Sequence, residues 1–405
     1  MITTAPDQAT FVPRGGESWR DPWPMYAALR EYDPVHQVVP EHSPHNDYWV
    51  LSRYADVSAA ARDWETFSSA QGLTIDYGEM ERLGLAEEKA PLVMLDPPAH
   101  SEFRRVVHKG FTPRQIVTIE PAVREFAAER IERLRAQGGG DIVAELFKPL
   151  ANMVVAHYLG VPEADRNRFN DWADNIVEAN ATGTQAGAVD AIVELFGYFT
   201  ELVERRKQDP GDDTVSHLIA LGFGGDADSL GRVLGWAFTM IAGGNDTIIG
   251  MLGGSAQLLT EHRDQRSQLI ADPSSITAAV EEFLRLTSPV QGLARLTTRD
   301  VQIDGVTIPA GRKTLLLYAA ANRDTRQYGP DAEQLDVHRK PQGILSFSQG
   351  NHHCIGNTAA RMQSRVVLEE LLARCPDFHV DCDAIEYAEG MYVRRPDRLA
   401  FVPGA

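Results

Sequence analysis

Residues 347–356 read FSQGNHHCIG, and the role of Cys354 in that stretch decides how the rest of the chain is understood. Two glycines, two histidines and one cysteine lie between polar loop sequence and the pattern IGNTAARMQSRVVLEELLARC, whose apolar residues recur at helical spacing. A cysteine at the start of a helix meets unpaired N–H groups and a positive dipole end, and both favour a thiolate over a thiol. Such a sulfur is a ligand or a nucleophile, against the bland alternative of a small buried hydrophobe.

A nucleophile needs a base and an oxyanion site. His352 and His353 are so close in sequence to the cysteine that neither is specially placed to take its proton. Zinc fits poorly, because no second Cys or His pair stands at short spacing and Cys375 and Cys382 lie a helix away. What remains is a single thiolate on a metal already held by something else, as iron is held in a porphyrin.

Composition narrows the setting. The 405 residues, 43% hydrophobic and 24% charged, describe an ordinary globular chain able to bury a large core. A net charge of −18 argues against a nucleic-acid partner, since no basic surplus exists to neutralise phosphates. Three cysteines are too few for a disulfide framework, and MITTAPDQATFVPRGGESW lacks a basic stretch followed by an apolar run, so the expectation is a cytoplasmic protein without a signal peptide. Residues 234–259 carry one formal charge, Asp246, and are long enough to cross a bilayer. Seven glycines from Gly231 to Gly254 and the mid-span NDT favour a helix buried in a globular interior, with no membrane contact.

No repeat, low-complexity tract or convincing linker divides the chain, so the expectation is a single unit over 1–405 with an irregular arm over 1–20. Helical patterns cover 113–137, 142–159, 163–179, 186–209, 229–261 and 274–286. The 229–261 helix would be roughly 50 Å long and run through the core. Strand signals are short: PVHQVV, DYWVLSR, GLARLTT, VQID with VTIP, TLLLYAA and RLAFVP. The fold expected is mainly α (α+β), a helical bulk around a long central helix with small peripheral antiparallel sheets.

Phe347, Gly350, His352, Cys354 and Gly356 match the pattern F-x-x-G-x-H-x-C-x-G, and with them the chain resembles the cytochrome P-450 superfamily of haem-thiolate monooxygenases, soluble bacterial type. EEFLR places Glu282 and Arg285 like the family's E-x-x-R, LDVHRKP adds Arg339 as third member, and AGGNDT places Asp246 and Thr247 in its acid and alcohol positions. Ser348 stands where the family more often has glycine, which bears on the turn alone. Six Lys against thirty-three Arg point to a G+C-rich, actinobacterial genome.

The resemblance implies haem b with Cys354 as the iron ligand, and Phe347, Gly350 and Gly356 shaping its loop. Haem carries two carboxylates, and it implies His100, Arg104, Arg295 and His352 as their partners; His100 and Arg104 are four apart, hence on one helix face. Glu282, Arg285 and Arg339 would brace the chain behind the cysteine. Asp246 and Thr247 would deliver protons, with Gly243 and Gly244 making room beside them. Pocket walls would come from 69–93, 175–189, Gly243, Val290, Leu293, Met391 and Tyr392, whose apolar character suggests a hydrophobic organic substrate. The reaction implied inserts one atom of O2, and without a second flavin or iron–sulfur motif in the chain the electrons would come from a ferredoxin, with NAD(P)H acting only through its reductase. Arg105, Lys109, Arg361 and Arg365 are candidates for the docking face. Two alternatives stay open: a peroxygenase driven by H2O2, which the acid and alcohol pair argues against, and a non-catalytic haem gas sensor, which usually carries a fused signalling module.

Overall fold

The structure is a computed structural model that describes residues 9–82, 90–108, 113–182 and 188–404. Helices dominate it. Pro113–Gln137 lies alongside Asn357–Arg374, the helix that follows Cys354, and Lys148–Leu159, Arg166–Thr182, Ala188–Gln208 and Ile276–Thr287 pack around a central helical line. Ile131, Phe147, Trp236, Leu252, Phe283 and Val367 belong to one continuous apolar cluster. Full burial of side chains of this size contributes about 1.5–3 kcal/mol each.

The central line is two helices, Ala227–Gly244 and Asp246–Glu261, and this departs from the single 229–261 helix expected above. Asp226 starts the first by accepting from the amides of Asp228 and Ser229 at 3.0 and 2.9 Å. The line breaks at Asn245 (φ −91°, ψ −64°), after two glycines of low helix propensity and beside Thr247, whose hydroxyl donates to the Gly243 carbonyl at 2.9 Å. Hydroxyl bonding to the carbonyl one turn back bends helices, so the interruption has a local cause.

Other glycines in the second half let neighbours approach. A Cβ at Gly250 would stand 2.7 Å from the Arg394 carbonyl oxygen, and one at Gly253 would stand 2.4 Å from Pro396. The strand Pro396–Arg398 can therefore lie directly on the helix. No helix among the described residues is long and apolar enough to cross a membrane.

Strands Val35–Val38, Tyr48–Leu51, Lys313–Leu316, Leu293–Thr297 and Phe67–Ser68 form, in that order, the largest sheet. Its pairings are antiparallel except that Tyr48–Leu51 runs parallel to Lys313–Leu316, in register Tyr48↔Lys313 to Leu51↔Leu316. The antiparallel expectation followed from turns between neighbouring segments; these two meet only through tertiary contact. The hairpin Val301–Ile303 to Val306–Ile308 turns at Asp304 and Gly305, both at positive φ, as its DG sequence demands. Gly16–Trp19 forms a short 3₁₀ turn within the arm expected to be irregular.

Candidate active site

The loop before Asn357–Arg374 presents Cys354. Its amide donates to the Phe347 carbonyl at 2.9 Å and its carbonyl accepts from the Asn357 side chain at 2.7 Å, so both ends of the residue are tied down. The sulfur accepts from the Gly356 and Asn357 amides and feels Arg104 and Arg361, yet burial outweighs them and pushes the thiol upward. The thiolate preference expected from the helix start is thus reversed by desolvation in the protein alone. A coordinated metal would supply the missing positive charge, because a ligating thiol loses its proton outright.

Gly350 has φ +70°, and a Cβ there would lie 2.7 Å from the Ala61 carbonyl oxygen, so only glycine lets the loop rest on the Tyr54–Arg62 helix. Ser348 adopts φ +55° with its hydroxyl 3.2 Å from that of Tyr318. The turn that usually carries glycine is retained here by a strained serine. Phe347 is buried and lies under the Arg361 guanidinium, 4.6 Å from ring centroid to Cζ. Gly356 is neither strained nor crowded: a Cβ there would meet only the Cys354 sulfur, at 3.9 Å.

Beside this loop the helix Ala99–His108 places His100 and Arg104 on one face, as expected. Arg104 donates to the His353 carbonyl, one residue before the cysteine. His100 is 1% exposed, neither ring nitrogen has a partner, and its ring centroid is 4.2 Å from that of His352, whose Nε2 is also unpartnered. Burial first, then Arg104, brings His100 down to about 4 despite the opposing Asp96. Burial, Arg295, His100 and Arg104 together hold His352 well below the usual imidazole range. Arg295, buried on the strand Leu293–Thr297, spends one nitrogen on the Ala294 carbonyl at 2.7 Å. Four basic side chains thus converge beside the cysteine loop, and no carboxylate pairs with them among the described residues. Desolvated donors without acceptors are costly unless a ligand supplies the acceptors. The two carboxylates of haem b fit that deficit, and a metal at the macrocycle's centre fits the sulfur.

Glu282, Arg285 and Arg339 come together. Glu282 accepts from Arg285 at 2.8 and 2.7 Å and from Arg339 at 3.1 Å, and the Glu282 and Arg285 side chains are 0% exposed. Arg285 also donates to the Asn322 and Ala332 carbonyls, and Asn322 holds the Leu345 amide at 2.8 Å, two residues before Phe347.

On the central line Gly243 is exposed although its helix crosses the core, and a Cβ there would find no atom within 4 Å. Gly244, by contrast, would meet Val155 at 2.6 Å. Only the first glycine opens space, and half-buried Thr247 lies one turn from it. Asp246 is buried and its Oδ1 lies 2.6 Å from Arg395 Nε; burial raises its carboxyl to about 6, with Arg395 opposing.

Of the five expected pocket residues, Met391 and Tyr392 line a narrow cleft of about 20 Å³ with Phe11, Arg14 and Gln291, between the N-terminal arm and the large sheet. The Tyr392 hydroxyl there accepts from the Ile75 amide at 3.0 Å. Val290 and Leu293 pack against the apolar cluster that holds Trp49, Phe67 and Leu345, Val290 also bridges to Val393 beside Tyr392, and a Cβ at Gly243 would meet open space. Residues 83–89 of the first expected wall and 183–187 of the second lie outside the described residues. Of the docking candidates, Arg105 is exposed, Lys109 lies outside the described residues, and Arg361 and Arg365 are paired with Glu281 and Glu120. Those two are neutralised by neighbouring helices, a pairing invisible in local sequence. Arg395 and Asn357 were not anticipated; the RR of MYVRRPD and an Asn three residues after the cysteine are their only marks.

Residues 231–384 match the family described as Cytochrome P-450. Cytochrome P-450 130 of Mycobacterium tuberculosis is 61% identical over 388 residues, covering 95% of this chain and 96% of the relative. The vitamin D(3) 25-hydroxylase of Pseudonocardia autotrophica is 34% identical over 415 residues, covering 100% of this chain and 98% of its own. Among solved structures, a cytochrome P-450 from Chondromyces apiculatus superposes with a TM-score of 0.83 at 32% identity, over 95% of this chain and 96% of that one.

Proposed function

The chain belongs to the cytochrome P-450 family, oxidoreductases that act as haem-thiolate monooxygenases, and on that premise we propose that it inserts one atom of O2 into a hydrophobic organic substrate with electrons from an external ferredoxin and its NAD(P)H-dependent reductase. The whole chain would act as one catalytic unit in the cytoplasm. One observation carries the assignment of the site: a desolvated cysteine sulfur shares Arg104 with a cluster of four basic side chains that no carboxylate pairs with among the described residues. A single ligand with a central metal and two carboxylates satisfies both halves.

In this reading Cys354 holds the metal, and His100, Arg104, Arg295 and His352 hold the carboxylates. Haem ligated by thiolate supplies the oxygen-activating chemistry. Gly243 leaves room beside the central line for O2 and water. Thr247 positions a proton through its hydroxyl, and Asp246, whose carboxyl burial raises to about 6, replenishes it from the solvent side. Glu282, Arg285 and Arg339 keep the cysteine loop in place through Asn322. Apolar groups around Gly243, Val290 and Leu293 favour a hydrophobic substrate, in keeping with a relative named for hydroxylating vitamin D(3). Arg105, exposed near the loop, offers one contact to an acidic electron carrier.

The reduced, carbon-monoxide-bound absorption spectrum tests the ligand assignment. The purified protein should show a thiolate-ligated spectrum and Cys354→Ser should lose it; an unchanged spectrum in the variant overturns the assignment. NAD(P)H consumed in step with product through a ferredoxin system, rather than turnover on peroxide alone, tests the electron source.

A further inference from the structure

We propose that Lys313, a buried lysine on the large sheet, is the positioning residue that holds the loop 69–82 in place as a wall of the substrate pocket, and so decides which hydrophobic substrates fit. The proposal rests on the haem-site reading above and on this loop bordering the pocket.

The loop has little structure of its own: a run of turns and bends ends in one four-residue helical turn, Glu79–Arg82. Such a segment takes its position from the scaffold that holds it. Two of its main-chain groups meet the residues expected to form the pocket. The Ala294 amide, next to Leu293, donates to the Leu73 carbonyl at 2.7 Å, and the Ile75 amide donates to the Tyr392 hydroxyl at 3.0 Å. Ile75 also lines the cleft that Met391 and Tyr392 share.

Lys313 opens the strand Lys313–Leu316 and is 1% exposed. It lies opposite Tyr48 and Leu296, on the sheet face that carries Val50, Ala294 and Leu315. An ammonium taken out of water onto an apolar face is costly unless its protons find acceptors. Here the acceptors belong to the loop: Nζ donates to the Gln71 carbonyl at 2.7 Å and to the Gly72 carbonyl at 3.5 Å. The main chain of the same residue makes a second tie. Its amide donates to the Tyr77 hydroxyl at 3.0 Å, and that hydroxyl donates to the Asp47 carbonyl at 2.7 Å. Asp76 of the loop acts on Tyr48, the neighbour of Lys313 across the sheet, so the loop also brings a negative charge to the lysine's side. Leu73 and Ile75, which meet the pocket residues, lie between the two ties.

Lys313→Met keeps an unbranched apolar side chain and removes the donors. A hydrogen bond from a charged group is strong enough that amides of 69–78 in the holoenzyme should exchange at least about tenfold faster in the variant, with the helix Asn357–Arg374 unchanged, by hydrogen-exchange mass spectrometry. Two iron-binding probes read the pocket. Imidazole has no tail to reach the wall and should keep its Kd within about twofold, whereas 1-dodecylimidazole should bind at least about tenfold more weakly, a split that general loss of stability would not produce. The proposal is overturned if exchange in 69–78 is unchanged, or if both probes weaken alike. Faster exchange with both probes bound as in wild type would leave the lysine an anchor but remove the loop from the pocket, and the proposal fails. Failure of imidazole to bind the wild type would instead strike the haem-site reading. Should Lys313→Met not fold, reductive methylation of the native wild type decides: Lys313 should label far more slowly than exposed Lys340, and equal rates overturn the anchoring.

Discussion

Replacing Glu282 by Gln keeps the shape of the side chain and removes its charge. Glu282 faces two nitrogens of Arg285 and one of Arg339, in a place where the Glu282 and Arg285 side chains have no solvent exposure. Arg339 retains Asp331 at 2.8 Å, whereas Arg285 is left with carbonyl oxygens alone. Breaking a buried ion pair on one side costs roughly 3–5 kcal/mol, because the remaining charge is neither paired nor hydrated. At about 2.1 cal/mol/K per residue, unfolding 405 residues carries an entropy of about 0.85 kcal/mol/K, so the expected fall in Tm is roughly 4–6 °C. The exposed pair Glu386–Arg398, 62% and 65% exposed, provides the control: Glu386→Gln should cost under about 1 kcal/mol, or about 1 °C. Differential scanning calorimetry of the holoenzyme, with the haem Soret band followed in parallel, measures both. Haem should be released below the temperature of global unfolding in Glu282→Gln, since the triad braces the cysteine loop through Asn322. A Tm within 1 °C of the control would show that Glu282 bears no charge worth compensating, and the bracing argument would fail.

Other consequences are open to measurement. Ser348→Ala keeps the positive φ and loses the Tyr318 contact, whereas Ser348→Gly loses the same contact and relieves the backbone, so the glycine variant should be more stable than the alanine variant by about 1–2 kcal/mol in urea unfolding; equal stabilities would mean the turn is unstrained. His100 and His352, with rings tilted against each other, are both held neutral when folded. Above about pH 6.5 the folded and unfolded states are alike in this respect; below it the unfolded chain takes up protons that the folded rings refuse, and stability falls as the pH drops toward 4. In the haem-free protein, His100→Phe should therefore lose less stability than wild type between pH 7 and 5, and parallel curves for the two would refute the burial argument.

Much of the site was legible because its chemistry is local. Gly350, His352, Cys354 and Gly356 lie within one short loop, Glu282 and Arg285 are one helical turn apart, and His100 and Arg104 share a helix face through their spacing. The break at Asn245 was harder to see, since the apolar pattern continues across it and the glycines mark a weak stretch within which the threonine hydroxyl bonds one turn back. The partners of Arg361 and Arg365 were hidden because opposite charges on other helices leave no mark near them in the chain.

From periodicity and local spacing follow the helical bulk and the reading of the cysteine as a metal ligand, because these depend on neighbours within a turn or a loop, whereas the partners expected for a doubly anionic macrocycle follow from the resemblance to a known family. The folded arrangement alone decides that burial pushes the thiol upward, that Arg395 stands against Asp246, and that Met391 and Tyr392 share a cleft with Phe11 and Arg14 of the N-terminal arm. Desolvation and charge pairing act through space between segments distant in the chain, and their sign is set only when those segments meet.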